Sequence, residues 1–214
     1  MMQTNNPHTL GPAALYRRLG RRRQLRRLVD RIAVTRPLRL LVGAGPKRFT
    51  GWIETDQEFL NISSPADWDR LFRPSSIDRI LAEHVVEHLN EMEWRTALCQ
   101  CRIYLKPDGI FRVAVPDGFH PDPAYVDAVK PGGRGPGSDD HKILYNYRTF
   151  GAIASSEGFE CEFLEYFDEH GQFIRRPWNV DDGFIERSEN HDPRNKERPL
   201  SYTSLIVDLR PTTR

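Results

Sequence analysis

The run Leu38-Arg39-Leu40-Leu41-Val42 breaks abruptly into Gly43-Ala44-Gly45-Pro46, and a second short run, Trp52-Ile53-Glu54-Thr55-Asp56, ends in an acid. Short β-type runs joined through small residues fit the edge of a parallel sheet where a nucleotide-type ligand is held. Glycine lets the backbone approach such a ligand, because a Cβ at Gly43 or Gly45 would occupy its space. A carboxylate at the carboxyl end of the next strand, Asp56, can accept hydrogen bonds from both hydroxyls of a ribose. The pattern implies a cofactor with an adenosine half. A dinucleotide fingerprint would need a third glycine, and Lys47 and Arg48 follow Pro46 instead.

The alternation continues. Phe59-Leu60-Asn61-Ile62 reads as a third strand, and Ser64-Pro65 opens a helix through Trp68, Leu71 and Phe72. Ile77-Asp78-Arg79-Ile80-Leu81-Ala82 reads as a fourth strand, residues 85–104 as a long helix, and residues 110–116 as a fifth strand after the turn Lys106-Pro107-Asp108-Gly109. A helix over residues 147–156, ended by Gly158, and strands over 161–167 and 203–209 follow. The expected fold is a single doubly wound, Rossmann-like α/β domain, its sheet mostly parallel with an antiparallel C-terminal strand.

A chain of 214 residues suffices for one such domain. A formal charge of +1 gives no global pull toward nucleic acid, yet charge is uneven. Residues 1–12 read as a disordered start and 13–36 as a basic amphipathic helix, with Arg17, Arg18, Arg21, Arg22, Arg23, Arg26, Arg27 and Arg31 opposite a leucine stripe. That face is either solvated or meets an anionic partner between Arg17 and Arg31. Residues 37–210 form the main domain, with a charged, irregular insertion at about 175–200, read as surface loop. Cys99, Cys101 and Cys161 have no zinc or redox spacing and suggest reduced thiols in the cytoplasm. No transmembrane segment is expected.

Several motifs in this order resemble the class I S-adenosylmethionine-dependent methyltransferases, and within them a bacterial group of small, mostly uncharacterised members. They are the Gly43-Ala44-Gly45-Pro46 turn, Asp56, the run Ile80-Leu81-Ala82-Glu83-His84-Val85-Val86-Glu87-His88-Leu89, the Leu105-Lys106-Pro107-Asp108-Gly109 turn, Val113-Ala114-Val115-Pro116-Asp117, and the stretch from Asp139 to Tyr147. The resemblance implies S-adenosylmethionine as cofactor, with Gly43, Ala44 and Gly45 around its methionine portion, Asp56 on the ribose, and Asn61 and Ile62 beside the adenine. Glu83 and His84 would lie near its reactive end. The link from Asp56 to Phe59 is too short for the family's usual helix, so the resemblance is to a trimmed version.

Methyl transfer mainly requires alignment of a nucleophile and removal of its proton. His84 and Glu83 are candidates for that task, and Asp140 and His141, after the glycine-rich loop 131–138, could reach the site from its other side. The acceptor expected is a small molecule or a glycan-type group. A non-catalytic module that binds the cofactor and interacts through its arginine helix is the alternative. A third reading takes His84, Glu87 and His88 as the H-x-x-E-H motif of a zinc hydrolase, which belongs inside a long helix. Spacing alone assigns no metal site.

Overall fold

The computed structural model describes residues 12–197 and 200–212, and of residues 12–18 the backbone alone. The disordered start expected for residues 1–12 therefore falls, Pro12 apart, outside the described residues, as do the side chains of Arg17 and Arg18. The chain divides into two compact units, residues 1–35 and 36–214. The described part of the first is helix α1 (Pro12–Val34), whose only charged group in the last turn is the basic Arg31. Thr35 closes its end by donating Oγ1–H to the Arg31 carbonyl at 2.7 Å.

The second unit is built on a seven-stranded sheet of β1 (Arg39–Val42), β2 (Ile53–Thr55), β3 (Ile77–Glu83), β4 (Leu105–Pro116), β5 (Phe159–Phe167), β6 (Phe173–Arg175) and β7 (Ser204–Pro211). Their order is β2-β1-β3-β4-β7-β5-β6. The pairs β1·β2, β1·β3 and β3·β4 are parallel, whereas β7 runs antiparallel to β4 and β5. This is the Rossmann-like doubly wound arrangement with its antiparallel last strand. A second antiparallel strand, β6, was not expected. It returns along β5 through a turn in which Asp168 Oδ1 accepts from the N–H of His170 and Gln172 and Gly171 takes φ +74°.

Helices α2 (Pro65–Leu71), α3 (Glu91–Tyr104), α4 (Pro123–Val129) and α5 (Tyr147–Ser156) join the strands. Among the described residues no helix is long and apolar enough to cross a membrane. Proline at the start of α2 follows an extended Ser64, and Asn90 and Asn146 close capping boxes at α3 and α5. The turn expected at Lys106-Gly109 occurs as a bulge inside β4: Ile77 faces Leu105, but Arg79 already faces Ile110.

Two expectations fail. Phe59-Ile62 is not a strand, because the Phe59 and Leu60 N–H groups both donate to the Asp56 carbonyl at 2.9 Å and hold the segment in turns. The helix expected over 85–104 is broken into a 3-10 turn (Val86–His88) and α3, with Asn90 extended between them as the cap.

The charged segment after β6 is also more than surface. Ile185 and Ser188 are fully buried, and Ile185 packs with Leu41, Trp52, Leu81, Ala114, Leu164 and Ile206 on one sheet face. Arg112, 1% exposed in mid-β4, grips Asp208 of β7 through Nε and Nη2 at 2.7 and 2.8 Å, and donates Nη1–H to the carbonyls of Asn179 and Gly183. The segment thus covers the face of the sheet where a flanking helix would otherwise sit.

Candidate active site

Strand order reverses at β1: the chain passes from it to β2 on one side and then crosses back to β3 on the other. In open α/β sheets the carboxyl ends of strands at such a switch point form the ligand crevice. Register brings them level, since Val42 faces both Thr55 and Ala82. A cleft of about 500 Å³ opens there, lined among others by Gly43, Asp56, Leu60, Asn61, Ile62 and His84.

Gly43 sits at φ +59°, and a Cβ on it would meet Val85 Cγ2 at 2.5 Å. Ala44 is buried and donates its N–H to the Thr55 carbonyl. Gly45, at φ +53°, donates its N–H to both carboxylate oxygens of Asp56, at 3.1 Å each. Ala44 and Gly45 shape the turn without lining the cleft, whereas Gly43, Asp56, Asn61 and Ile62 line it. Asn61 is held by its own turn, its Oδ1 accepting from Ser63 N–H and Oγ–H. The cleft therefore has an exposed carboxylate at a strand end, a backbone stripped of side chain at Gly43, and apolar Leu60 and Ile62. Those are the features an adenosine with two free ribose hydroxyls fits.

Glu83 does not line this cleft. Its side chain is 1% exposed, with Lys47 Nζ 2.5 Å from Oε2 and the Arg187 N–H donating to Oε1 at 2.8 Å. So paired and turned away from the cleft, the carboxylate does not reach a ligand bound there. The expectation that Glu83 takes part in chemistry gives way to an anchoring role, joining the glycine turn to the segment after β6.

His84 ends β3 in the left-handed region, φ +56°, an uncommon conformation for a residue with a Cβ. Its N–H donates to Ala114, its Nε2 lies 3.0 Å from Ser204 Oγ, and its Nδ1 lies 2.9 Å from Glu87 Oε1. Glu87 is 1% exposed. Burial works against its charge, and the imidazole of His84 more than offsets that, holding the carboxyl below its ordinary range.

His84 also lines a second cleft, of about 310 Å³, with His141, Tyr125, Tyr202, Arg187 and Arg194. The Arg194 guanidinium lies 3.5 Å from the Tyr202 ring centroid and pairs with Asp192 at 2.6 Å. Tyr125, Tyr202 and Arg187 did not stand out in the sequence; Arg194 did, as part of the polar excursion after residue 175. His141 Nδ1 is 2.6 Å from the Val129 carbonyl. Asp140 lies instead on the first cleft, exposed, with its carboxyl held below the usual range by Lys142. His84 and His141 therefore share the second cleft, His84 and Asp140 the first, and Glu83 neither.

The zinc-hydrolase arrangement is not formed. His84, Glu87 and His88 span a strand end and a 3-10 turn rather than a helix, and Glu87 and His88 group with His141, not with His84.

No family model matches the chain, and no curated protein matches it. Similar solved structures include a SAM-dependent methyltransferase from Archaeoglobus fulgidus, 17% identical over 90% of this chain and 92% of that one, with a TM-score of 0.46. A SAM-dependent methyltransferase from Thermotoga maritima is 12% identical over 95% and 96%, TM-score 0.45. Phosphoethanolamine N-methyltransferase 2 of Haemonchus contortus, in complex with S-adenosyl-L-methionine, is 10% identical over 90% of this chain and 53% of that one, TM-score 0.44. Identities this low and TM-scores below 0.5 leave the chemistry of the clefts to be argued from their own residues.

Proposed function

We propose that the chain is an S-adenosylmethionine-dependent methyltransferase, with the cofactor in the cleft at the ends of β1, β2 and β3 and a small-molecule or glycan-type acceptor in the second cleft. The observation that carries this reading is the wall the two clefts share, His84, with Asp56 exposed at the far side of the first. When bound, the cofactor supplies a methyl group on an activated, positively charged sulfur.

The residues of the chain do the rest. Asp56 accepts from the ribose hydroxyls while the Gly45 N–H fixes its carboxylate, Gly43 leaves room for close approach, and Asn61 and Ile62 flank the base. His84, held by Ser204 and Glu87, is oriented between the two ligands. His141 faces the acceptor cleft with one nitrogen tied to a carbonyl, so its Nε2 can accept a proton from a hydroxyl or ammonium. Three unbridged cysteines fit a reducing compartment, the cytoplasm. The arginines of α1 offer a surface to an anionic partner.

Calorimetry with S-adenosylhomocysteine tests the reading. One saturable site per chain supports it, and no binding at millimolar ligand removes it.

A further inference from the structure

The Glu87 carboxylate is in an unusual position. Its side chain is 1% exposed, and neither oxygen receives an aligned hydrogen bond, although His84 Nδ1 stands 2.9 Å from Oε1. A buried carboxylate is costly unless a cation meets it; the His84 imidazole serves Oε1, which leaves Oε2 without a partner. His88, adjacent on the 3-10 turn, has a buried ring nitrogen, Nδ1, without an aligned bond, its contact being the Asp140 carboxylate at 3.4 Å. His141 arrives from the far end of the glycine-rich loop, 9% exposed, with its ring 4.8 Å from that of His88.

The tautomer of His141 follows from its partner. A carbonyl only accepts, so the 2.6 Å contact with Val129 puts the proton on Nδ1 and the lone pair on Nε2. An imidazole fixed in this way by a backbone carbonyl has the form of a metal ligand with its outer partner in place. One ligand atom each from Glu87, His88 and His141 lie within 4.8 Å of one another. Ligands about 2.1 Å from a tetrahedral ion are roughly 3.4 Å apart, so the longest of these separations shortens by up to about 1.4 Å when an ion closes the site.

We propose that Glu87, His88 and His141 bind one divalent transition-metal ion between the two clefts. Two imidazoles and one carboxylate suit Zn²⁺ or a neighbouring first-row ion, and three protein ligands leave a coordination position open. His88 lines the first cleft and His141 the second, so the open position lies where the two ligands would meet. There the ion would hold an oxygen of the acceptor. That role rests on the methyltransferase reading and, with the ion on Nε2, replaces His141 as proton acceptor in it; metal binding itself does not rest on that reading.

The test uses the full chain, stripped with chelator, titrated with Zn²⁺ by calorimetry and with Co²⁺ by visible absorption. One ion per chain is expected, with Glu87→Gln and His141→Ala each weakening Zn²⁺ at least about 100-fold. If Glu87→Gln does not fold, His88→Ala, on the more exposed side, carries the same readout. No stoichiometric binding, or binding unchanged in these variants, overturns the site. Intense thiolate-to-Co²⁺ absorption also overturns it, because it would place the ion on cysteine. S-adenosylhomocysteine binding is measured on the same samples: an ion without the cofactor product keeps the metal site and removes the methyltransferase reading, and the reverse result separates them the other way.

Discussion

The Gly45 N–H donates to both oxygens of Asp56, 3.1 Å to each, tying the turn after β1 to the acid that ends β2. The bond sits on the exposed side of the carboxylate's surroundings, so it orients more than it stabilises. It also couples two neighbouring positions: Gly43 must stay left-handed for the turn to reach Asp56. Gly43→Ala strains φ +59° and drives a methyl group to 2.5 Å from Val85 Cγ2. The expected result is a folded but less stable chain, by about 1–3 kcal/mol in urea titration, and cofactor affinity lowered at least tenfold. Unchanged affinity would mean that the turn can shift without cost to the cleft.

Arg112 is buried with Asp208 and two carbonyls. Removing one partner of a buried pair strands the other, so Arg112→Ala should cost about 3–5 kcal/mol. Because two of its bonds go to residues 179 and 183, limited proteolysis should cut first between residues 176 and 200. Cleavage elsewhere would show that this segment is held by its apolar contacts instead.

Asp117, at the end of β4, is fully buried, and burial raises its pKa to about 6 although Phe119 and Phe167 N–H groups bond its two oxygens. The folded value lies above the roughly 3.9 of an unfolded aspartate, so the fold favours the protonated form. The contribution is fully present below about pH 4 and is lost as pH rises through 6, roughly 3 kcal/mol in all. The difference in unfolding free energy between the parent and Asp117→Asn should show that fall from pH 4 to 7, because His120, whose pKa burial lowers, tilts the parent's own profile the other way. Asp117→Asn should itself lack the fall while lowering stability evenly, since an amide nitrogen cannot accept the second N–H. A parent-minus-variant difference that rises through this window would mean that the two N–H bonds outweigh burial.

Much of this could be read along the chain, and the failures have physical causes. Val42 running into Gly43, and β2 ending at Asp56, are local signals, and they marked the cleft. Phe59, Leu60 and Ile62 are as apolar as a strand, yet periodicity does not separate a buried turn from a strand, and the Asp56 carbonyl captures both amides. Charge in residues 175–200 suggested a solvated loop because the partner of the buried anchor, Arg112, lies in a distant strand. Glu83 looked reactive beside His84; only the fold brings Lys47 and the Arg187 N–H to it. His141 joins Glu87 and His88 across a loop whose course no spacing rule gives.

Every residue lining the cofactor cleft lies between Val42 and Lys142. Deleting residues 1–35 should therefore leave S-adenosylmethionine affinity within about twofold, with stability followed separately by thermal unfolding. A folded truncation that no longer binds would assign α1 to the site.

The account stands most directly on Asp56. Charge-assisted bonds to both ribose hydroxyls should make Asp56→Ala weaken S-adenosylmethionine by roughly 1.5–3 kcal/mol in calorimetry, with the unfolding transition nearly unchanged. A folded Asp56→Ala chain that binds as tightly as the parent would contradict the placement of the cofactor at the ends of β1 and β2.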